Sequence, residues 1–156
     1  MISFEGKVGV VTGSGSGIGK ATAIGFAKAG GTVVVADISP EGGAATVNEI
    51  VASGGKAASI KTDMTKLEDI QALFDFAVDK YGRVDFLHNN AYGIPADAYT
   101  EIGPLGAVSD AGWEYGLNMG LTSYFRATRA VLPIFEKPKK AFRSLSKGRT
   151  RSFRSR

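Results

Sequence analysis

The chain has no cysteine and a single histidine, His88. Without thiols there is no disulfide, no thiolate nucleophile and no cysteine-based zinc or iron–sulfur site. One histidine cannot build a metal centre by itself, so no metal ligands are expected. No run of 18 apolar residues occurs, and Met1–Phe4 passes straight into Glu5 and Lys7. Those features argue against a membrane span and a secretory signal, and the chain reads as cytoplasmic. A hydrophobic share of 44% with 22% charged residues excludes general disorder. At 156 residues there is material for one hydrophobic core and not for two.

Acid is missing from one stretch altogether. Residues 137–156 hold nine bases and no Asp or Glu, whereas residues 1–136 hold ten bases and all 15 acids. The net charge of +4 thus averages an acidic body and a basic tail. Glycine, by contrast, is plentiful, with 21 residues where about 7% is usual.

The body alternates between two kinds of pattern. Lys7–Thr12 and Thr32–Ala36 are short β-branched runs that predict buried strands, with Ala57–Thr62 weaker and Val84–Asn89 a fourth. Between them, Gly17–Gly30 predicts a helix stopped by Gly30–Gly31, and Pro40 begins another that ends near Ser53–Gly55. Lys66–Tyr81 predicts the clearest helix, with Leu67, Ile70, Phe74, Ala77 and Tyr81 on one face. Asn90–Val108 reads as a long loop. Ser109 or Asp110 then caps a last helix, in which Trp113, Leu117, Leu121, Tyr124, Thr128 and Phe135 are expected to share a face. Strands alternating with crossover helices imply an α/β fold with a doubly wound parallel sheet of Rossmann type.

The densest signal is Thr12-Gly13-Ser14-Gly15-Ser16-Gly17-Ile18-Gly19, where the first strand turns into the first helix. Glycines there let the backbone turn sharply and let a phosphate approach main-chain N–H groups at a helix start. A Walker loop would need Gly at 14 and Ser or Thr at 21, where Ser14 and Ala21 stand. The dinucleotide fingerprint G-x-G-x-x-G fits in no register, because Ile18 stands where its last glycine would fall. A glycine-rich turn with no ligand is the alternative.

What fits is T-G-x-x-x-G-x-G, and here the sequence resembles the short-chain dehydrogenase/reductase family. The resemblance implies that Gly13, Gly17 and Gly19 line nucleotide phosphates, with Ser14, Ser16 and Ile18 in the same turn. Asp37 ends the second strand, where a carboxylate would accept hydrogen bonds from an adenosine ribose; alone, it reads as a strand-end cap. A 2′-phosphate there would meet like charge, and no Lys or Arg lies at 14–16 to offset it. NAD is therefore the expected cofactor, in preference to NADP. Asp63-Met64 resembles the family's Asp-hydrophobic pair beside the adenine. Asn89-Asn90-Ala91 resembles its Asn-Asn-Ala-Gly motif, with Tyr92 intruding before Gly93, so Asn90 and Ala91 are further cofactor candidates.

The resemblance covers about residues 5–136, the amino-terminal half of a typical member. The family's chemistry uses a Tyr-x-x-x-Lys pair with an upstream Ser and a helix Asn. Four residues after Tyr81, Tyr92, Tyr99, Tyr115 and Tyr124 stand Asp85, Ala96, Gly103, Met119 and Thr128, and none is Lys. The helix Asn maps to Gly120, with Asn118 two residues earlier. No catalytic residue is therefore assigned. The tail begins where the fifth strand would, and reads as irregular, either a basic segment or unselected sequence out of frame. The expected function is an NAD-dependent oxidoreductase of secondary alcohols or ketones, here without its catalytic pair; a non-catalytic nucleotide-binding unit is the alternative. A nucleic-acid partner is disfavoured by the acidic body, and a homo-oligomer is compatible with the fold.

Overall fold

The computed structural model describes residues 2–93 and 104–136. Four parallel strands form one sheet in the order β3-β2-β1-β4. They are β1 (Val8–Thr12), β2 (Thr32–Asp37), β3 (Lys56–Lys61) and β4 (Phe86–His88). Helices α1 (Gly17–Lys28), α2 (Pro40–Ala52) and α3 (Leu67–Tyr81) alternate with them. A 3-10 turn over Leu105–Ala107 precedes α4 (Asp110–Leu117), a π turn (Asn118–Thr122) and α5 (Ser123–Glu136).

The β-branched runs are explained by burial on both sheet faces. Successive side chains of a strand point to opposite faces. Accordingly Val33 and Val35 pack with Ala23, Ala27 and Ile50 of α1 and α2, while Val34 and Ala36 pack with Ile70, Leu73, Phe74, Ala127 and Val131 of α3 and α5. Val10, Val33, Val34 and Val35 are fully buried, each contributing about 1.5–3 kcal/mol by area transfer.

Element ends follow local chemistry. The Ser39 hydroxyl accepts from the Gly42 amide at 3.0 Å and caps α2, with Pro40 at its first position. Gly82 closes α3 in the left-handed conformation at φ 74°. β4 is shorter than the expected Val84–Asn89. The Asp85 carboxylate takes the Val8 amide at 2.9 Å while its own amide donates to Val8 O, so side-chain bonding replaces the ladder before Phe86.

The final helix also departs from expectation. It is interrupted by the π turn, and its core side is made of small residues, with Gly112, Ser123, Ala127 and Val131 buried. Trp113, Leu117, Leu121 and Thr128 face outward instead. Phe135 does pack against the core. The basic tail from Lys137 lies outside the described residues, as does the middle of the expected 90–108 loop. Among the described residues no helix is long and apolar enough to cross a membrane.

Candidate functional site

After β3 the chain crosses the sheet to place β4 beside β1. The strand order reverses there, which leaves a crevice at the carboxyl ends of the strands. The glycine turn and the segment after β4 meet at this point.

At three of the turn's glycines a Cβ would crowd its neighbours. A Cβ at Gly19 would lie 2.1 Å from Gly13 O and 2.6 Å from Asn90 Nδ2. One at Gly13 would lie 2.7 Å from Ala91 Cα, and one at Gly15 would lie 2.7 Å from the Asp37 carboxyl carbon. Gly17 differs. Its φ is +53° and nothing lies within 4 Å of where a Cβ would be, so it faces open space. Ser16 caps α1 without a side-chain hydrogen bond, and no acid occupies the helix's first turn. The positive end of α1 is therefore available to an anion. Ile18 is exposed beside it.

Ser14 faces the other way. It is fully buried, its hydroxyl donates to Val11 O at 2.6 Å, and its carbonyl accepts from the Thr46 hydroxyl. Its side chain belongs to the wall of the turn. The Asp37 carboxylate accepts from the Gly15 amide at 2.6 Å and the Ser39 amide at 2.9 Å, which fixes it at the end of β2. Asn90 donates through Nδ2 to Thr12 O and Gly13 O at 3.0 and 3.2 Å. Thr12 joins both sides, because its hydroxyl accepts from the Asn90 and Ala91 amides and donates to His88 O.

A cleft of about 280 Å³ adjoins this junction. Of the sequence candidates it brings together Gly13, Asp37, Asp63, Met64 and Ala91. Ser16, Gly17, Ile18 and Gly19 lie at the start of α1 and do not line it. Burial alone would raise the Asp63 carboxyl. The Thr65 hydroxyl and amide hydrogen bonds, with the Lys66 charge, outweigh it and hold the group below the ordinary carboxylate range. The cleft is also lined by residues that sequence reasoning did not assign, among them Ile38, Tyr92, Tyr115 and Met119. Gly15 and Thr12, inside the glycine motif, are further members of the site that the sequence alone does not single out. Burial raises Tyr81 and Tyr124, the opposite of what an acid–base tyrosine needs.

The family model for short chain dehydrogenase matches residues 7–142. The chain belongs to that family. The match runs six residues past position 136. The 7alpha-hydroxysteroid dehydrogenase of Escherichia coli (strain K12) is 38% identical over 136 residues, covering 87% of this chain and 51% of that protein. A cyclohexanol dehydrogenase of Acinetobacter sp. (strain SE19) is 39% identical over 130 residues, covering 83% and 50%. Among solved structures, a short-chain dehydrogenase/reductase from Burkholderia phymatum in complex with NAD is similar at a TM-score of 0.76 and 34% identity, covering 86% of this chain and 46% of that one. The chain thus spans about half the length of the short-chain dehydrogenases it matches.

Proposed function

We propose that this chain is the dinucleotide-binding half of a short-chain dehydrogenase that uses NAD and acts on a secondary alcohol or ketone. The observation that carries the reading is the glycine turn. Gly13 and Gly19 lie against backbone too close for any side chain and Gly15 lies against the Asp37 carboxyl, while Gly17 opens onto empty space at the positive end of α1. Such a cradle suits a pyrophosphate approached by main-chain N–H groups.

In this reading Gly13, Ser14, Ser16, Gly17, Ile18 and Gly19 form the phosphate turn, Ser14 through its backbone. Asp37 takes the ribose hydroxyls, Asp63 and Met64 flank the adenine, and Asn90 with Ala91 closes the turn from the β4 side. The chemistry such a cofactor supplies is hydride exchange with a carbinol or carbonyl carbon. The relatives' names, hydroxysteroid and cyclohexanol dehydrogenase, support a secondary alcohol as the substrate class. The NAD preference rests on the Asp37 carboxylate and the lack of any base at 14–16, since a 2′-phosphate would be repelled there. Titration with both cofactors tests it. NAD should bind more tightly and Asp37→Ala should narrow the gap, whereas equal or tighter NADP binding would overturn the assignment.

A second reading has its own support: no tyrosine in the chain is followed four residues later by lysine. General acid–base help is worth about 10²–10⁴ in rate, so the 156-residue chain should bind the cofactor without measurable turnover. Reduction of NAD with a secondary alcohol, abolished by Gly13→Glu, would show that another group supplies the proton.

A further inference from the structure

Tyr92 stands where the Asn-Asn-Ala-Gly pattern has its glycine, and it lines the cleft while remaining 63% exposed. Its ring has a seat. A Cβ at Gly120 would lie 3.4 Å from Tyr92 Cε2 and 3.7 Å from Cδ2, so the ring rests against the bare backbone of the π turn. The neighbouring residue is tied down as well, since the Tyr115 hydroxyl donates to Gly93 O at 3.1 Å. An exposed aromatic ring held beside a cleft presents a flat apolar face at small ordering cost. Ile38, also exposed, lines the same cleft.

We propose that Tyr92, seated on Gly120, is the surface on which the purine base of a bound nucleotide stacks. The inference rests on the dinucleotide reading above. Tyr92 shares its cleft with Asp37, Ile38, Asp63 and Met64, at the ends of β2 and β3, and of the phosphate turn only Gly13 reaches it, Ser16–Ile18 at the start of α1 lying outside. That location assigns it to the adenosine end. The role belongs to the ring face and not to the phenol oxygen, because every base offers a π-face to an aromatic surface.

The test uses the whole 156-residue chain and calorimetric titration with ADP-ribose and with nicotinamide mononucleotide. Tyr92→Phe should bind ADP-ribose like the parent chain. Tyr92→Ala should weaken it about 5- to 150-fold, the equivalent of one stacked base, with an unchanged melting temperature because the side chain is exposed. Gly120→Val, which fills the seat, should weaken ADP-ribose in the same direction. Undiminished ADP-ribose binding by Tyr92→Ala would overturn the proposal, as would a loss falling on nicotinamide mononucleotide alone. Failure of the parent chain to bind ADP-ribose would overturn the dinucleotide reading itself, and this proposal with it.

Discussion

One methyl group separates alanine from glycine, and at two positions of the turn it should act for different reasons. At Gly19 it would land 2.1 Å from a backbone oxygen, which cannot swing aside as a flexible side chain could. Gly19→Ala should therefore displace the turn, cost roughly 3 kcal/mol or more, and lose dinucleotide binding. At Gly17 the methyl meets open space but an unfavourable φ of +53°. Gly17→Ala should cost only about 1–2 kcal/mol, and chemical denaturation of the two variants would show the difference. Equal losses would mean that the turn relaxes around the methyl at Gly19, whose own backbone is not in the left-handed region. Thr65 bears on the turn after β3. Because its hydroxyl and amide help lower the Asp63 pKa in the folded state, Asp63 stabilises the fold above its unfolded pKa near 3.9. That stability is lost as pH falls through the lower folded value. Thr65→Val removes the hydroxyl bond, so it should cost about 1 kcal/mol at pH 7, shrinking toward zero in acid. A pH-independent deficit would trace the effect to packing instead.

Between elements, Thr12 is the contact on which β1, β4 and the glycine turn converge. Its buried hydroxyl serves two amides and one carbonyl, so Thr12→Val leaves buried N–H groups unpaired and should cost about 2–4 kcal/mol. Thr12→Ser keeps the oxygen and should restore most of that, as read by thermal unfolding. How legible this was depended on the element. The buried strands and α1–α3 announce themselves, since a sheet covered on both faces needs continuous β-branched runs and a helix against it needs an apolar stripe. Within the site, Asp63 and Met64 were candidates through the family resemblance, and they line the cleft together with Gly13 and Asp37. Over 110–136 the helix itself is legible, but its buried side is not, because an apolar stripe does not say which side is covered. There the sheet side needs small residues for close approach, Ser123 and Ala127 both being fully buried, and the π turn offsets the faces on either side of it. For Ser14 the place in the turn is visible in the sequence, whereas the direction of its hydroxyl is set by Val11 O on β1. Gly15 was passed over because the contact that demands it, Asp37, lies 22 residues away.

At the scale of the whole molecule, the described sheet ends on β4, a strand paired with β1 on one side only. At its carboxyl end, His88 Nδ1 and Asn89 Oδ1 are buried with no hydrogen-bond partner among the described residues. Phe86, 42% exposed on this edge, is only partly covered by its edge-to-face partners Phe4 and Phe26. On α4, the π turn and α5, Trp113, Leu117, Leu121, Phe125 and Leu132 add a second exposed apolar surface. An unpaired edge offers backbone N–H and C=O groups to any other strand, and a contiguous apolar patch favours association. The 156-residue chain should therefore self-associate as its concentration rises, which sedimentation velocity would register. Leu121→Glu combined with Phe125→Glu should weaken association through the helical surface and leave the melting temperature within about 2 °C, because exposed substitutions usually stay inside ±0.5 kcal/mol. If those changes abolish association, the helical surface is the contact; if they leave it intact, the β4 edge is. A parent chain that stays monomeric at every attainable concentration would refute both routes, since neither surface would then be open to a partner.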